Sequence, residues 1–172
     1  MARRYSARRQ GLMQPNDTAA RLCRDSAVRI LQPQTECQAE AALSYLKSHA
    51  NDFNIPAERF KDIDIHLHIP AGAQPKDGPS AGITIVSALA SLLSDEPIRS
   101  EIGMTGEISL RGKILPVGGI KEKMLAAHRA GLKNVFLPND NIGDLNDLPA
   151  EIRDAIDFVG VDTIDEVIKK VM

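Results

Sequence analysis

A serine near the middle of the chain has neighbours that suit nucleophilic chemistry. Residues 75–82 read PKDGPSAG, and Pro79 is favoured at the first position of a helix because its missing N–H costs nothing there. Ser80 is therefore predicted to lie in the first helical turn, where unpaired N–H groups and the helix dipole favour negative charge. Such a turn can stabilise a serine alkoxide and the oxyanion of a tetrahedral intermediate. The small residues Gly78 and Ala81 would let a substrate backbone approach.

Other interpretations of this segment stay open at the level of the motif. An ordinary serine at a helix start, or a phosphate-binding turn, would use the same residue types. A P-loop is excluded because the GxxxxGK[ST] pattern is absent. GPSAG also matches the nucleophile elbow of α/β hydrolases, but that fold needs an acid and then a histidine after the serine. Only His128 follows Ser80, with Asp95 or a nearby glutamate as the acid, and Pro79 fits a strained strand-to-helix turn poorly.

A serine nucleophile needs a proton acceptor, and the sequence offers a lysine on an apolar helix face. Ile120, Lys123, Met124 and Ala127 follow the i, i+3, i+4, i+7 spacing of one face, whereas Lys121 is expected to reach solvent more easily. Apolar surroundings lower the pKa of a lysine from about 10.4, because they disfavour the ammonium form. The neutral amine could accept the serine proton and pass it to the leaving amine. A lysine that extends from a helix end into solvent is the alternative.

One predicted strand carries acidic and histidine side chains along one face. Residues 62–69 alternate between polar and apolar side chains, which is typical of a half-buried strand. The polar set could bind a divalent metal ion, although solvated polar residues on such a strand are the more common case. Its members are Asp62, Asp64, His66 and His68. A metal site is therefore an alternative and not the expectation.

Length and composition limit the class of protein. A chain of 172 residues with 43% hydrophobic residues and a net charge of −2 fits one globular domain. It has no general attraction to nucleic acid or to an anionic membrane. Two cysteines are too few for a disulfide framework, and no apolar run is long enough for a membrane span. These features fit a cytoplasmic protein or a protein of an organelle matrix.

Residues 1–34 and 35–172 differ in character. Residues 1–34 contain seven arginines and two acidic residues and show no clear periodicity, so we predict a poorly structured basic tail or adaptor. Residues 35–172 alternate between helices and strands, which indicates a layered α/β domain (an α+β sandwich). Helices are predicted at 35–51, 79–94, 118–131, 149–156 and after Thr163, with capping boxes at Thr35/Gln38 and Thr163/Glu166. Strands are predicted at 62–69, 101–105, 107–110, 114–117, 135–137 and 157–161.

Three long motifs resemble the signatures of the Lon protease proteolytic domain. They are PKDGPSAG at 75–82, MTGEISLRGKILPVGG at 104–119 and GGIKEKMLAAHRAG at 118–131. Their length, order and spacing make the resemblance specific. It is strongest over 62–138 and extends over about 35–172. The resemblance implies the fold of that domain, which is related to the βαβ-rich domains of the ribosomal-protein and GHMP-kinase type.

The resemblance also implies a serine endopeptidase with a Ser–Lys dyad. Ser80 matches the nucleophile of the family, and Lys123, the second lysine of GGIKEK, matches its general base. Thr105 matches a hydroxyl that helps to orient the lysine, and Asp77 matches an acid in the loop before the serine. The supporting strand residues are His66 and His68, and the backbone near the oxyanion is that of Gly78, Pro79 and Ala81.

In full-length members of the family, a substrate-binding region and an AAA+ ATPase precede the proteolytic domain. The resemblance therefore implies unfolded or damaged proteins as substrates, the ATPase as a partner and a homo-hexamer as the assembly. Nucleic acid and membrane are not expected as partners. Neither Walker motif occurs in this sequence, so ATP and Mg²⁺ are implied for the ATPase only. Peptide cleavage by this chain is expected to need no cofactor and no metal ion.

Residues 1–34 depart from the family pattern, which has a block of strands before the first helix. Those strands help to build the sheet and the edge of the substrate groove, so this departure bears on activity. It favours, as an alternative, a catalytically silent Lon-like module that forms rings, as in some DNA-handling bacterial proteins. The presence of both Ser80 and Lys123 favours the peptidase. A small-molecule kinase of the galactokinase type is disfavoured, because its phosphate loop is richer in consecutive glycine and serine than residues 75–82.

Overall fold

The computed structural model describes residues 19–23, 33–61, 63–68 and 78–172. The strands in these ranges are β1 (Ala19–Cys23), β2 (Asp64–His68), β3 (Ile102–Met104), β4 (Glu107–Ile108), β5 (Ile114–Leu115), β6 (Asn134–Pro138) and β7 (Asp157–Val161). The helices are α1 (Pro33–Ser48), α2 (Gly82–Ser94), α3 (Ile120–Arg129), α4 (Ala150–Ala155) and α5 (Ile164–Val171). Short 3-10 helices cover Ala50–Phe53, Ala57–Phe60 and Asn139–Asp147.

A three-stranded parallel sheet in the order β3–β6–β7 lies between two apolar clusters. Along the chain, β4, β5 and α3 lie between β3 and β6, and a 3-10 helix and α4 lie between β6 and β7. Parallel neighbours need such crossover connections. Side chains alternate along β6, so Val135 and Leu137 face one cluster while Phe136 faces the other. The sheet therefore separates two layers of the core.

The larger cluster surrounds α2. Residues 82–90 of this helix are all buried. Most of them are apolar, as is typical of a buried helix, and Thr84 and Ser87 are buried polar residues. Helix α1 contributes Ala42 and Leu46 to the cluster, and α5 contributes Ile164 and Val167. On the other face of the sheet, α3, α4 and the adjoining 3-10 helix enclose the smaller cluster. None of the helices in the described ranges is long and apolar enough to cross a membrane.

Two antiparallel pairs complete the described structure. β1 pairs with β2, from Ala19 opposite His68 to Cys23 opposite Asp64. β4 pairs with β5 through a tight turn, in which Gly112 has a φ of +80°. The Ile114 N–H donates to the Asp162 carbonyl at 2.9 Å, so this hairpin is attached to the residue that follows β7.

The structure confirms the α/β class and most of the predicted helices and strands. β7 has the predicted bounds, and Thr163 Oγ1 accepts a hydrogen bond from the Glu166 N–H at the start of α5. The predicted capping box of Thr35 and Gln38 is wrong. Helix α1 begins at Pro33, so Gln38 lies inside the helix, and its side chain binds the backbone of β4.

The stretch 1–34, predicted to be a poorly structured tail, contains described residues at two places. Ala19–Cys23 form β1, a strand that periodicity did not predict, and α1 begins at Pro33. The other residues of this stretch lie outside the described ranges. The division of the chain at residue 34 therefore stays a prediction.

Candidate active site

Ser80 lies in the turn at 78–81 that leads into α2. Because α2 begins at Gly82, the predicted position of Ser80 in the first helical turn is corrected to a position just before the helix. The Ser80 carbonyl accepts a hydrogen bond from the Gly106 N–H at 2.9 Å and a longer one from Thr105 Oγ1 at 3.4 Å. These bonds from the segment after β3 hold the serine peptide apart from the hydrogen-bond ladder of the helix.

The backbone around Ser80 forms a partly exposed turn. Gly78, Pro79, Ser80 and Ala81 are all half-buried, and Gly78 has a φ of +44°, a conformation that glycine adopts readily. The Pro79 carbonyl accepts a hydrogen bond from the Gly82 N–H at 3.1 Å, which closes the turn. Proline has no N–H. Of the three predicted backbone positions, only Gly78 and Ala81 therefore have an amide that could bind an oxyanion.

Gln38 of α1 holds the strand beside this turn. Its side chain is buried, Oε1 accepts a hydrogen bond from the Ile108 N–H at 2.9 Å, and Nε2 donates to the Ile108 carbonyl at 3.3 Å. The same amide packs against Gly82, where an added Cβ would clash with Gln38 Oε1 and lie 2.8 Å from the Ile108 nitrogen. Sequence reasoning missed this role, because it depends on the meeting of α1, β4 and α2 in three dimensions.

Thr105 joins the Ser80 turn to the carboxyl end of the parallel sheet. It follows β3 directly and is buried. Its N–H donates to the Phe136 carbonyl of β6 at 3.0 Å, and Thr84 Oγ1 of α2 donates to the Met104 carbonyl at 3.4 Å. The structure thus brings Ser80 and Thr105 together at the edge where open parallel sheets commonly bind ligands. The orientation of a lysine by Thr105 stays a prediction.

Lys123 lies in the first turn of α3 on the predicted apolar face. Ile120, Met124 and Ala127 are buried, and Lys123 itself is half-buried. Lys121, two residues earlier, is exposed. This difference confirms that the two lysines of GGIKEK differ in burial as the helical spacing predicts.

The residues that lead into α3 contact Lys123 through their backbone. Lys123 Nζ donates to the Gly118 carbonyl at 2.8 Å, and the Lys123 N–H donates to the Gly119 carbonyl at 3.1 Å. The preceding residue, Val117, donates its N–H to Asn141 Oδ1 at 2.9 Å and accepts from Asn141 Nδ2 at 3.1 Å. Sequence reasoning missed Asn141, because a single buried amide in a short 3-10 helix leaves no periodic signal.

Three predicted site side chains lie outside the described part of the structure. They are Asp77, His66 and His68; the backbone of residues 64–68 forms β2. The side chains of the polar strand face that was considered as a metal site also lie outside the described part of the structure. Among the side chains that are described, no group of three or more His, Cys, Asp or Glu residues is arranged to hold a metal ion.

Comparison with known proteins assigns the chain to a family. Residues 34–172 match the Lon protease (S16) C-terminal proteolytic domain. The chain belongs to this family. The matched Lon-family range contains β2 to β7, nearly all of α1 and the whole of α2 to α5, and it includes Ser80, Thr105, Lys123 and Asn141.

Relatives within the Lon family share about half of their residues with this chain over the matched region. Lon protease 1 of Sorangium cellulosum (strain So ce56) is 56% identical over 130 residues, which cover 76% of this chain and 16% of that protein. The Lon protease of Brevibacillus choshinensis is 52% identical over 131 residues, covering 76% and 17%. The Lon protease of Roseiflexus castenholzii is 55% identical over 134 residues, covering 78% and 17%. The chain thus matches about a sixth of the length of these relatives.

Proposed function

We propose that the chain is a serine endopeptidase domain in which Ser80 is the nucleophile and Lys123 the general base. The observation that carries the proposal is the match of residues 34–172 to a family of proteolytic domains. Two features of the site support the assignment of roles. Ser80 lies in a partly exposed turn, and Lys123 is half-buried on the face of α3 that carries the buried Ile120 and Met124.

In the proposed reaction, Ser80 Oγ attacks the carbonyl carbon of a peptide bond while its proton passes to the neutral amine of Lys123. The tetrahedral intermediate carries its negative charge on the former carbonyl oxygen, and we propose the amides of Gly78 and Ala81 as its hydrogen-bond donors. When the C–N bond breaks, the Lys123 ammonium returns the proton to the leaving amine. Water then hydrolyses the acyl-enzyme, with Lys123 again acting as the base.

The backbone contacts of the Ser80 turn support a nucleophile that is held in place before the substrate arrives. The Gly106 N–H and Thr105 Oγ1 both donate to the Ser80 carbonyl. A fixed position reduces the entropy that must be lost to reach the attack geometry. Thr105 is also proposed to orient Lys123. The proposed supporting residues are Asp77, His66 and His68.

The proposed substrates are unfolded or damaged proteins, whose extended backbone could approach the small residues Gly78 and Ala81. From the family resemblance, we propose that the chain works with an AAA+ ATPase and as a homo-hexamer, in the cytoplasm or an organelle matrix. The proposed proton transfer between serine and lysine needs no metal ion. We therefore propose that cleavage requires no cofactor in this chain, and that ATP and Mg²⁺ serve the ATPase.

The first test is cleavage of a fluorogenic, unstructured peptide without ATP. We expect the wild-type chain to hydrolyse the peptide, and Ser80→Ala and Lys123→Ala each to lower the rate by roughly 10³-fold or more, as removal of one member of a catalytic unit does. Lys121→Ala is the matched control, since this exposed lysine lies on the same turn of α3. Its rate should stay close to that of the wild type, and all variants should melt at similar temperatures.

The outcome separates the peptidase from the alternative module. Full hydrolysis by both alanine variants would contradict the dyad. A wild-type chain that folds and assembles but never cleaves the peptide would contradict peptidase activity and would favour the ring-forming module. The dyad also predicts a rate that rises with pH as Lys123 loses its proton, so a flat profile from acid to mildly alkaline pH would count against lysine as the base.

A further inference from the structure

We propose that Asn141 is a positioning residue for Lys123 and acts through the backbone of Val117. The inference rests on the proposed function, since it concerns the placement of the proposed general base. Asn141 lies in the 3-10 helix Asn139–Asp147, beyond the three sequence motifs that carry the family resemblance.

A single buried side chain binds both backbone groups of Val117. Asn141 is 6% exposed; its Oδ1 accepts from the Val117 N–H at 2.9 Å, and its Nδ2 donates to the Val117 carbonyl at 3.1 Å. The same Nδ2 donates to Asp144 Oδ2 at 2.7 Å. The amide thus binds Val117 as a neighbouring strand would, and its acceptor and both of its N–H donors have partners. Because a buried amide with a full set of partners is costly to displace, Val117 has a fixed position.

The two residues between Val117 and α3 are glycines, which have no side chain to pack against their neighbours. Gly118 and Gly119 are both exposed. A Cβ placed on Gly118 would have no neighbour within 4 Å, and one placed on Gly119 would meet only Glu122 Oε2, at 3.7 Å. Packing at the glycines therefore does little to set their position. The two hydrogen bonds between Val117 and Asn141 fix the backbone directly before these glycines.

Lys123 depends on the peptide groups of these same two glycines. Its Nζ donates to the Gly118 carbonyl at 2.8 Å, and its N–H donates to the Gly119 carbonyl at 3.1 Å. A shift of Val117 would therefore move both the acceptor of the lysine amine and the start of α3. A displacement of about 1 Å at a reacting group can cost about 100-fold in rate, so loss of the Asn141 amide should reduce catalysis without removing a catalytic residue.

The test is Asn141→Ala, measured by kcat and KM for the fluorogenic peptide. We expect kcat to fall by roughly 10- to 100-fold, with KM changed by less than about twofold, because the base is displaced while the substrate surface is kept. Leu145→Ala controls for lost stability, since Leu145 is buried in the same 3-10 helix. Asn139→Ala controls for removal of an exposed amide from that helix. Both controls should keep kcat, although Leu145→Ala should lower Tm.

A second measurement observes Lys123 without relying on hydrolysis. In protein labelled with ¹³C at the lysine ε-carbons, the Lys123 signal is identified by its loss in Lys123→Arg. We expect this signal to move, and to titrate at a different pH, in Asn141→Ala and in neither control. If Ser80→Ala retained activity, the proposed function would fail, yet this signal would still report whether Asn141 positions Lys123.

The inference is overturned by two results. One is an Asn141→Ala chain with wild-type kcat and an unchanged Lys123 signal. The other is a loss of kcat that Leu145→Ala reproduces at an equal loss of Tm. If Asn141→Ala does not fold, Asn141→Asp is judged by the same two measurements, because it keeps the acceptor for the Val117 N–H and loses the donors to the Val117 carbonyl and to Asp144 Oδ2.

Discussion

At the scale of single residues, the two glycines before α3 differ in backbone conformation. Gly119 has a φ of +71°, where a residue with a side chain costs about 1–2 kcal/mol. Gly118 lies outside this region and has open space around its Cβ position. We therefore expect Gly119→Ala to lower the free energy of unfolding by about 1–2 kcal/mol and Gly118→Ala to leave it nearly unchanged. Denaturant unfolding of both variants measures the difference, and equal effects would contradict it.

The environment of Lys123 was predictable from the sequence, whereas the contacts that hold it were not. Helical spacing is a local property, so the positions of Ile120 and Met124 are enough to place Lys123 on the apolar face. Asn141 and Val117 are 24 residues apart, and no local pattern relates them. Sequence motifs therefore identify the side chains that could react, while the tertiary structure decides which groups fix their position.

At the scale of elements, the junction of α1, β4 and α2 depends on one amide. Replacing Gln38 by alanine leaves the N–H and carbonyl of the buried Ile108 without their partner. Each buried polar group left without a partner costs about 1–3 kcal/mol, so we expect Gln38→Ala to lower the free energy of unfolding by about 2–3 kcal/mol. Denaturant unfolding measures this loss. The matched control is Glu40→Ala, because Glu40 is exposed on the same helix, and an equally large loss there would contradict the role of Gln38.

Elements with a local sequence signal were predicted more accurately than elements whose bounds or pairing depend on distant residues. β6 and β7 lie in the parallel sheet, and their apolar runs predict them well. β1 has no alternating pattern in Ala19–Cys23, so its pairing with β2 could not be predicted from its own residues. The start of α2 was predicted at Pro79 but lies at Gly82. The Gly106 N–H, which is distant in sequence, takes the Ser80 carbonyl, and no helix-start signal contains that information.

At the scale of the whole molecule, one side chain connects the first described helix to the last. Tyr45 Oη on α1 donates to Asp165 Oδ1 on α5 at 3.1 Å, across 120 residues of sequence. Its ring is buried, stacks on His49 with the ring centroids 4.1 Å apart, and leaves no room for a Cβ on Gly112 in the β4–β5 turn. The layered α/β architecture follows from the alternation of elements, but this closure of α1, α5 and the hairpin follows only from their packing.

This connection makes the stability of the fold depend on pH in the alkaline range. Burial, followed by the charge and hydrogen bond of Asp165, raises the pKa of Tyr45 from 10.0 to about 12. Between these values the folded chain keeps a proton that the unfolded chain has released, so the free energy of unfolding falls as pH rises through this window. We expect Tyr45→Phe to flatten that decline, as measured by denaturant unfolding from pH 9 to about 12. Asp165→Asn should give an intermediate slope, because it removes the charge and leaves the burial. A decline of equal slope in the wild type and Tyr45→Phe would show that other groups, such as the lysines, cause the alkaline loss of stability.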